Sequence, residues 1–342
     1  MKKQGKDILK LILFLSLGVF FIWISLKDLS AEQRSMILTH AKEVLQGNRW
    51  IYLVLCVIVG FLSVVFRGLR SVLMIEPMGY KISKMNSYHA VMVGYLANFA
   101  FPRLGEVLRC TILQQYEKVP LQKSLGTVIS ERILDLLLAG LLFVFAFAVE
   151  YDKLIAVFSG SNISEQIMTM FSGTGKYIIL AIVLLIFIVI FALRKIIAKN
   201  PVYQKIVKII KGFWEGLISI KNLKHPILFV IYSMAIWLCY FLMFYVCTFA
   251  FPDMLALGGA GMVLASLSCV VIGTVGFVIA QGGLGAYPLL ISIVLLLYGI
   301  SEESGLAIGW VVWTTETIMY LALGLVSLLI LFYSKKRQTE KS

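Results

Sequence analysis

Charge is what this 342-residue sequence lacks most. Asp, Glu, Lys and Arg make up 14% of it, against about 25% in an ordinary soluble domain. With 60% hydrophobic residues and a mean hydropathy of +0.92, that scarcity excludes a soluble globular protein. Acids are the scarcer sign, 18 against 31 Lys plus Arg, which leaves a net charge of +13. In a soluble chain such a surplus would suggest nucleic acid. Here the cations gather in loops and no nucleic-acid motif accompanies them, so the positive-inside rule and anionic headgroups account for the charge. The five cysteines build no disulfide framework. Cys56, Cys239, Cys247 and Cys269 lie in apolar runs, and Cys239 and Cys247 are about two helical turns apart, too far to bridge. His40, His89 and His225 are scattered, and no Cys/His cluster has metal-ligand spacing. Strand-like alternation is missing, which excludes a membrane β-barrel. A phosphate-binding Walker loop is missing too. No cofactor and no metal are expected.

What the sequence has instead is long apolar runs, several near or above the ~20 residues that cross a bilayer. The expected fold is an all-α polytopic membrane protein, with about six full spans and two interrupted helical hairpins. The first half covers 8–149 and the second 177–333. Full spans are expected at 8–26, 50–66, 124–149, 177–193, 227–250 and 306–333. The first follows Lys2, Lys3 and Lys6 like a signal peptide, but its core is long and no small-x-small site follows, so it reads as an uncleaved span. Residues 30–46 form an amphipathic helix outside the bilayer. Ser30 with Gln33 starts it, Ile37, Ala41, Val44 and Leu45 make its apolar face, and Gly47 stops it. Residues 150–176, rich in Gly and Ser, are a loop.

Residues 194–226 carry Arg194, Lys195, Lys199, Lys205, Lys208, Lys211, Lys221 and Lys224 against Glu215, which places this loop in the cytoplasm. Within it, 200–222 starts at Asn200-Pro201 and carries the stripe Ile206, Ile209, Ile210, Phe213 and Leu217. This helix either lies on an anionic leaflet or packs as a linker on the bundle. Lys335-Lys336-Arg337 put the C-terminus in the cytoplasm, and counting back puts the N-terminus there. The expected location is the cytoplasmic (inner) membrane.

Two regions, 86–112 and 259–299, break their apolar character midway. The first breaks at Pro102-Arg103-Leu104-Gly105, after an apolar half at 87–101. The second breaks at Gln281-Gly282-Gly283-Leu284-Gly285, after an apolar half at 266–280. Both resume as helix, and they are entered from opposite faces, as in an inverted repeat with a midplane binding site. Broken backbone survives at that depth when it is buried in protein or lines a wet cavity. The alternative is a pair of ordinary interfacial loops or short tilted spans.

Charge gathers near these breaks. Arg103, Glu106 and Arg109 follow i, i+3, i+6, and Asn98 precedes them. Glu131 and Asp135 share a face at i, i+4 with Arg132 beside them. Arg67 and Arg70 end the second span. Intramembrane charge is costly unless paired, so these groups either neutralise one another or leave a guanidinium for an anionic headgroup. Bland readings stand beside the functional ones. Arg67 and Arg70 are boundary residues that snorkel, Glu131, Asp135 and Arg132 are a structural ion-pair knot, and the glycines permit close packing. Glu316, among Thr314, Thr315 and Thr317, lines the same cavity or pairs with a neighbour.

The stretches FRGLRSVLM, VGYLANFAFPRLGEVLRCTIL, ISERILDLLL and QGGLGAYPLL occur in an order that resembles the lysylphosphatidylglycerol synthase transmembrane region, or flippase-like domain family, across about 8–333. The late motif departs from the family pattern. Gln281 stands where a proline is expected, and Ala286-Tyr287-Pro288 stand where a glutamate is. The resemblance implies lipid handling. The breaks and the charges near them give Arg67, Arg70, Asn98, Pro102, Arg103, Glu106, Arg109, Glu131, Arg132, Asp135, Gln281, Gly282, Gly283, Gly285, Tyr287 and Glu316 as substrate-binding candidates. The chain ends nine residues after its last expected span, so the separate aminoacyl-transferase domain of the synthases is not expected. The expected function is translocation of a phospholipid or other phosphate-bearing lipid-linked substrate by alternating access, with membrane lipids of anionic headgroup as partners. Two alternatives remain: a scaffold for a cell-envelope lipid or glycolipid enzyme, and a membrane-embedded transferase using Glu106, Glu131 or Asp135 as base.

Overall fold

The computed structural model describes residues 48–100, 103–149 and 223–339, together with helical positions 31, 35, 39 and 42–44. The expected spans 8–26 and 177–193, the loop 150–176 and the basic helix 200–222 lie outside the described residues. The chain divides into two compact units, Met1–Ala146 with Asn222–Ser342, and Phe147–Lys221. All that follows concerns the first, save the last turn of one helix.

Apolar sequence in a bilayer must satisfy its backbone internally, and helices do so. Helix α1 runs Trp50–Ile75, and a 3₁₀ turn, Glu76–Met78, ends it at left-handed Gly79. Helices α2 (Lys84–Ala100) and α3 (Leu104–Glu117) are the two halves of the first interrupted region. Helix α4 runs Leu121–Val149. Helix α5 (Pro226–Thr248) begins on a proline, whose missing N–H costs nothing at a first turn. A short α6 (Pro252–Ala256) leads into α7 (Gly258–Ile279). A 3₁₀ turn (Gln281–Gly283) separates α7 from α8 (Ala286–Leu296). Helix α9 runs Glu302–Thr339. No strand occurs among the described residues.

Four stretches among the described residues are long and apolar enough to cross a bilayer: Trp50–Met78, Pro226–Thr248, Gly258–Ile279 and Glu302–Ser334. Three answer expected spans. The fourth, α7, was expected as a half-helix of about 15 residues; it has 22 and stands as a crossing element in its own right. Its partner α8 has 11 residues, whereas α2 and α3 have 17 and 14, so the two hairpins are unequal. The second expected span also proves longer than 50–66, because α1 carries helix through Arg67 and Arg70 to Ile75.

Helix α1 packs along α5 and also meets α2 and α9; α9 packs on α8 and α2. The main core joins Met243, Phe244 and Cys247 of α5 to Ile291, Val294 and Leu295 of α8 and to Ile308 and Val312 of α9. Within the first hairpin the two halves touch at glycines. A Cβ on Gly105 would collide with the Gly94 carbonyl oxygen, so the close approach of α3 to α2 requires a residue with no side chain.

Candidate functional site

Arg67 and Arg70 lie one turn apart on α1 and point the same way. They are not boundary residues reaching for water: Arg67 is 4% exposed and Arg70 0%. Both meet the α4 carboxylates. Arg67 Nη1 donates to Asp135 Oδ2 at 2.8 Å. Arg70 donates to both Asp135 oxygens, at 2.7 and 3.1 Å, and lies 3.8 Å from Glu131 Oε2. From α3, Arg109 grips Glu131 with two parallel bonds of 2.8 Å each. The i, i+4 spacing of Glu131 and Asp135 serves this purpose: it aligns two carboxylates to receive arginines from two other helices. Fully ionised, three arginines against two carboxylates leave one net positive charge on the buried cluster.

The cluster extends by hydroxyls. Arg67 Nη2 donates to the Tyr240 hydroxyl at 2.8 Å, which lies 3.3 Å from the Tyr95 hydroxyl. Arg70 Nη1 reaches Ser233 Oγ at 3.3 Å. Beside it, Arg132 pairs with Glu106 at 3.1 Å, half-exposed.

Arg67, Arg109, Glu106 and Arg132 line a cleft together with Asn98 and Tyr95. Its enclosed volume is ≈ 20 Å³, room for about one water. Three buried polar atoms on its wall have no hydrogen-bond partner among the described residues: Arg67 Nε, Arg109 Nε and Glu106 Oε2. Such atoms cost free energy when left unmet. Two donors and one acceptor are therefore in place for a polar guest.

The break beside the cleft is built from the backbone. Asn98 Oδ1 accepts from the Gly105 N–H at 2.7 Å, satisfying one of the first amides of α3. Arg103 holds φ 63°, ψ 6°, a left-handed conformation that costs a non-glycine residue ~1–2 kcal/mol. Its side chain is exposed and makes no ion pair among the described residues. The expected common face for Arg103, Glu106 and Arg109 therefore divides: Arg109 turns into the cluster, Glu106 sits at the cleft, and Arg103 stands outside α3. Pro102 lies outside the described residues.

At the second break Gly282, Gly283 and Gly285 all have positive φ, at 62, 73 and 71°, so the glycines permit the turn itself. The Gly282 carbonyl accepts from Trp313 Nε1 at 2.7 Å. The side chain of Gln281 is outside the described residues. Tyr287 is buried against Phe277 and Gly273 inside its own hairpin, which makes it packing rather than a cleft residue. Glu316, half-buried on α9, is in no ion pair among the described residues and is not on the arginine cleft.

The two breaks meet. Ring carbons of Phe99, next to Asn98, come 3.2 and 3.3 Å from where a Gly282 Cβ would stand. Sequence reading missed Tyr95, Tyr240 and Trp313, the residues that tie the cluster and the second break to the bundle. In a chain with 15 Tyr and 6 Trp, nothing in their local pattern distinguishes them.

No metal-binding group of His, Cys, Asp or Glu occurs among the described residues. Comparison with curated proteins and with solved structures finds no match to this chain. The model of one family, described as the lysylphosphatidylglycerol synthase TM region, matches residues 8–324. The order of motifs and the apolar helices fit that match, and this multi-pass membrane protein linked to lipid handling belongs to the lysylphosphatidylglycerol synthase transmembrane-region family.

Proposed function

We propose that the protein is a translocator for a phospholipid or another phosphate-bearing lipid-linked substrate, working by alternating access to the arginine cleft. The observation that carries this reading is the surplus arginine of the buried cluster, with the Arg67 and Arg109 Nε donors unmet at the cleft wall. A phosphodiester offers the anionic oxygens that guanidinium groups bind best. Its arrival would neutralise the cluster's remaining charge, while the acyl or polyprenyl chains stay in the bilayer. Glu106 and Arg132 stand where a headgroup would enter, with Asn98 beside them on the cleft wall.

A cleft with room for one water cannot hold a headgroup, so the described conformation is a closed one. Opening requires the first hairpin to separate from its neighbours. The contact of Phe99 with Gly282 is the place where the two breaks would part. We take the location to be the cytoplasmic membrane with both termini cytoplasmic, in keeping with the basic termini and the basic loop 194–226. A translocator fits the cleft better than a transferase, since Glu131 and Asp135 are held by arginines of α1 and α3 and Glu106 by Arg132.

The test is lipid movement by the purified protein in proteoliposomes. Fluorescent phosphatidylglycerol, phosphatidylethanolamine, phosphatidylcholine and a polyprenyl phosphate would be followed by chemical quenching of the outer leaflet. Selective movement of a phosphate-bearing lipid, lost in Arg109→Gln, supports the reading. If none of the panel moves, the reading fails, and the accessory role in an envelope-lipid system takes its place. A chemically altered lipid would point to a transferase instead.

A further inference from the structure

Glu316 is a carboxyl that stands outside the arginine cluster, deep in a crossing stretch. Glu316 lies about 21 Å along α9 from Glu302, at 1.5 Å per residue, well inside the crossing stretch Glu302–Ser334. None of the ion pairs among the described residues includes it. The titratable groups that interact with it electrostatically are Cys56 of α1, Tyr287 of α8 and Tyr320 of α9. Behind these stand Cys247 and Tyr240 of α5, Cys269 of α7 and Tyr95 of α2. Among the described residues no Lys or His belongs to this set, and the guanidinium that acts on it is that of Arg67, through Tyr320. A lone carboxyl at that depth keeps its charge only when a cation or water reaches it, and otherwise holds a proton.

Its position on α9 joins the two parts of the site. Three residues before it, Trp313 Nε1 donates to the Gly282 carbonyl at the second break, at 2.7 Å. Four residues after it, Tyr320 stacks on Tyr95 with ring centroids 4.7 Å apart. Tyr95 meets the Tyr240 hydroxyl, which accepts from Arg67. Residues at i−3 and i+4 share a helix face with i, so one face of α9 carries the second break's anchor, the carboxyl and the link to the cluster.

We propose that Glu316 is a proton-binding site whose occupancy is coupled to the Trp313–Gly282 contact at the second break. The proton comes from water on one side and returns to water on the other. The proposal rests on the translocator reading for its purpose, since it makes proton flux the drive for lipid movement, but the site itself can be tested apart from transport. A change of charge on Glu316 shifts α9 relative to α8 and so alters the hold on Gly282, while Tyr320 carries the same shift toward Arg67.

The experiment uses the full chain in phosphatidylglycerol–phosphatidylcholine vesicles. Infrared difference spectra across a pH titration should show a protonated-carboxyl band that is lost in Glu316→Gln, displaced in Glu316→Asp, and kept in Glu106→Gln. Tryptophan emission should follow the same titration and stop doing so in Glu316→Gln and Trp313→Phe. A band untouched by Glu316→Gln, or an emission that ignores the titration, overturns the proposal. With labelled phosphatidylglycerol, a pH gradient should accelerate wild type several-fold and leave Glu316→Gln at its own gradient-free rate. Lipid movement in wild type that ignores the gradient overturns the coupling to transport. If no lipid moves while both spectroscopic results hold, the translocator reading fails and the proton site stands.

Discussion

At the scale of single residues, the buried Arg109–Glu131 pair separates structure from function. Removing one partner leaves a charge buried and uncompensated, which costs about 3–5 kcal/mol. Glu131→Gln should therefore lower the thermal midpoint of the detergent-purified protein sharply. Replacing both partners with apolar residues of similar size is often neutral or stabilising. The double variant Arg109→Met, Glu131→Leu should unfold near the wild-type temperature yet move no lipid. Recovery of transport in that variant would make the pair a structural knot. Arg103 offers a second case. Its left-handed φ of 63° predicts that Arg103→Gly raises stability by ~1 kcal/mol, read as a higher midpoint than Arg103→Ala, which keeps the strain. The residue types at the site were legible in the sequence because charge inside an apolar chain stands out. Their partners were not. The spacing of Glu131 and Asp135 shows that they share a face, but which arginine meets which carboxylate depends on how α1, α3 and α4 cross.

At the scale of elements, the first hairpin depends on bare backbone. Gly105→Ala would drive a methyl into the Gly94 carbonyl, so α3 must move off α2, at a cost of about 1–3 kcal/mol. Gly126→Ala on α4 meets nothing within 4 Å and should be neutral or gain up to ~1 kcal/mol from helix propensity. The two midpoints, measured side by side, check this. Both breaks could be read from sequence because proline, glycine and charge interrupt apolar runs there. The lengths of the halves could not. α7 extends back to Gly258, ahead of the apolar half expected at 266–280, and its first turn is exposed, so no burial pattern in the sequence marks where it begins. Arg67 and Arg70 misled in the opposite direction: charge at the end of an apolar run looks like a boundary, and only the acids on α4 make it an interior.

At the scale of the whole molecule, the proposed cycle opens the arginine cleft, beside the first break, in turn to the two sides of the membrane. The helical membrane class was plain from composition, since an apolar, charge-poor chain without strand alternation has few other solutions. The meeting of the breaks through Phe99 and Gly282 was not, because residues so far apart in sequence come together by packing. The measurement that tests the claim most directly is two-sided labelling at Val128, a buried apolar cleft residue that cysteine replaces with little change in volume. In a background lacking Cys56, Cys110, Cys239, Cys247 and Cys269, Val128→Cys would be exposed to a membrane-impermeant thiol reagent from the inside and, separately, from the outside of oriented vesicles. Alternating access predicts slow labelling from both sides, slowed further by a bound phosphate-bearing lipid. Labelling from one side alone, or from neither, would contradict it.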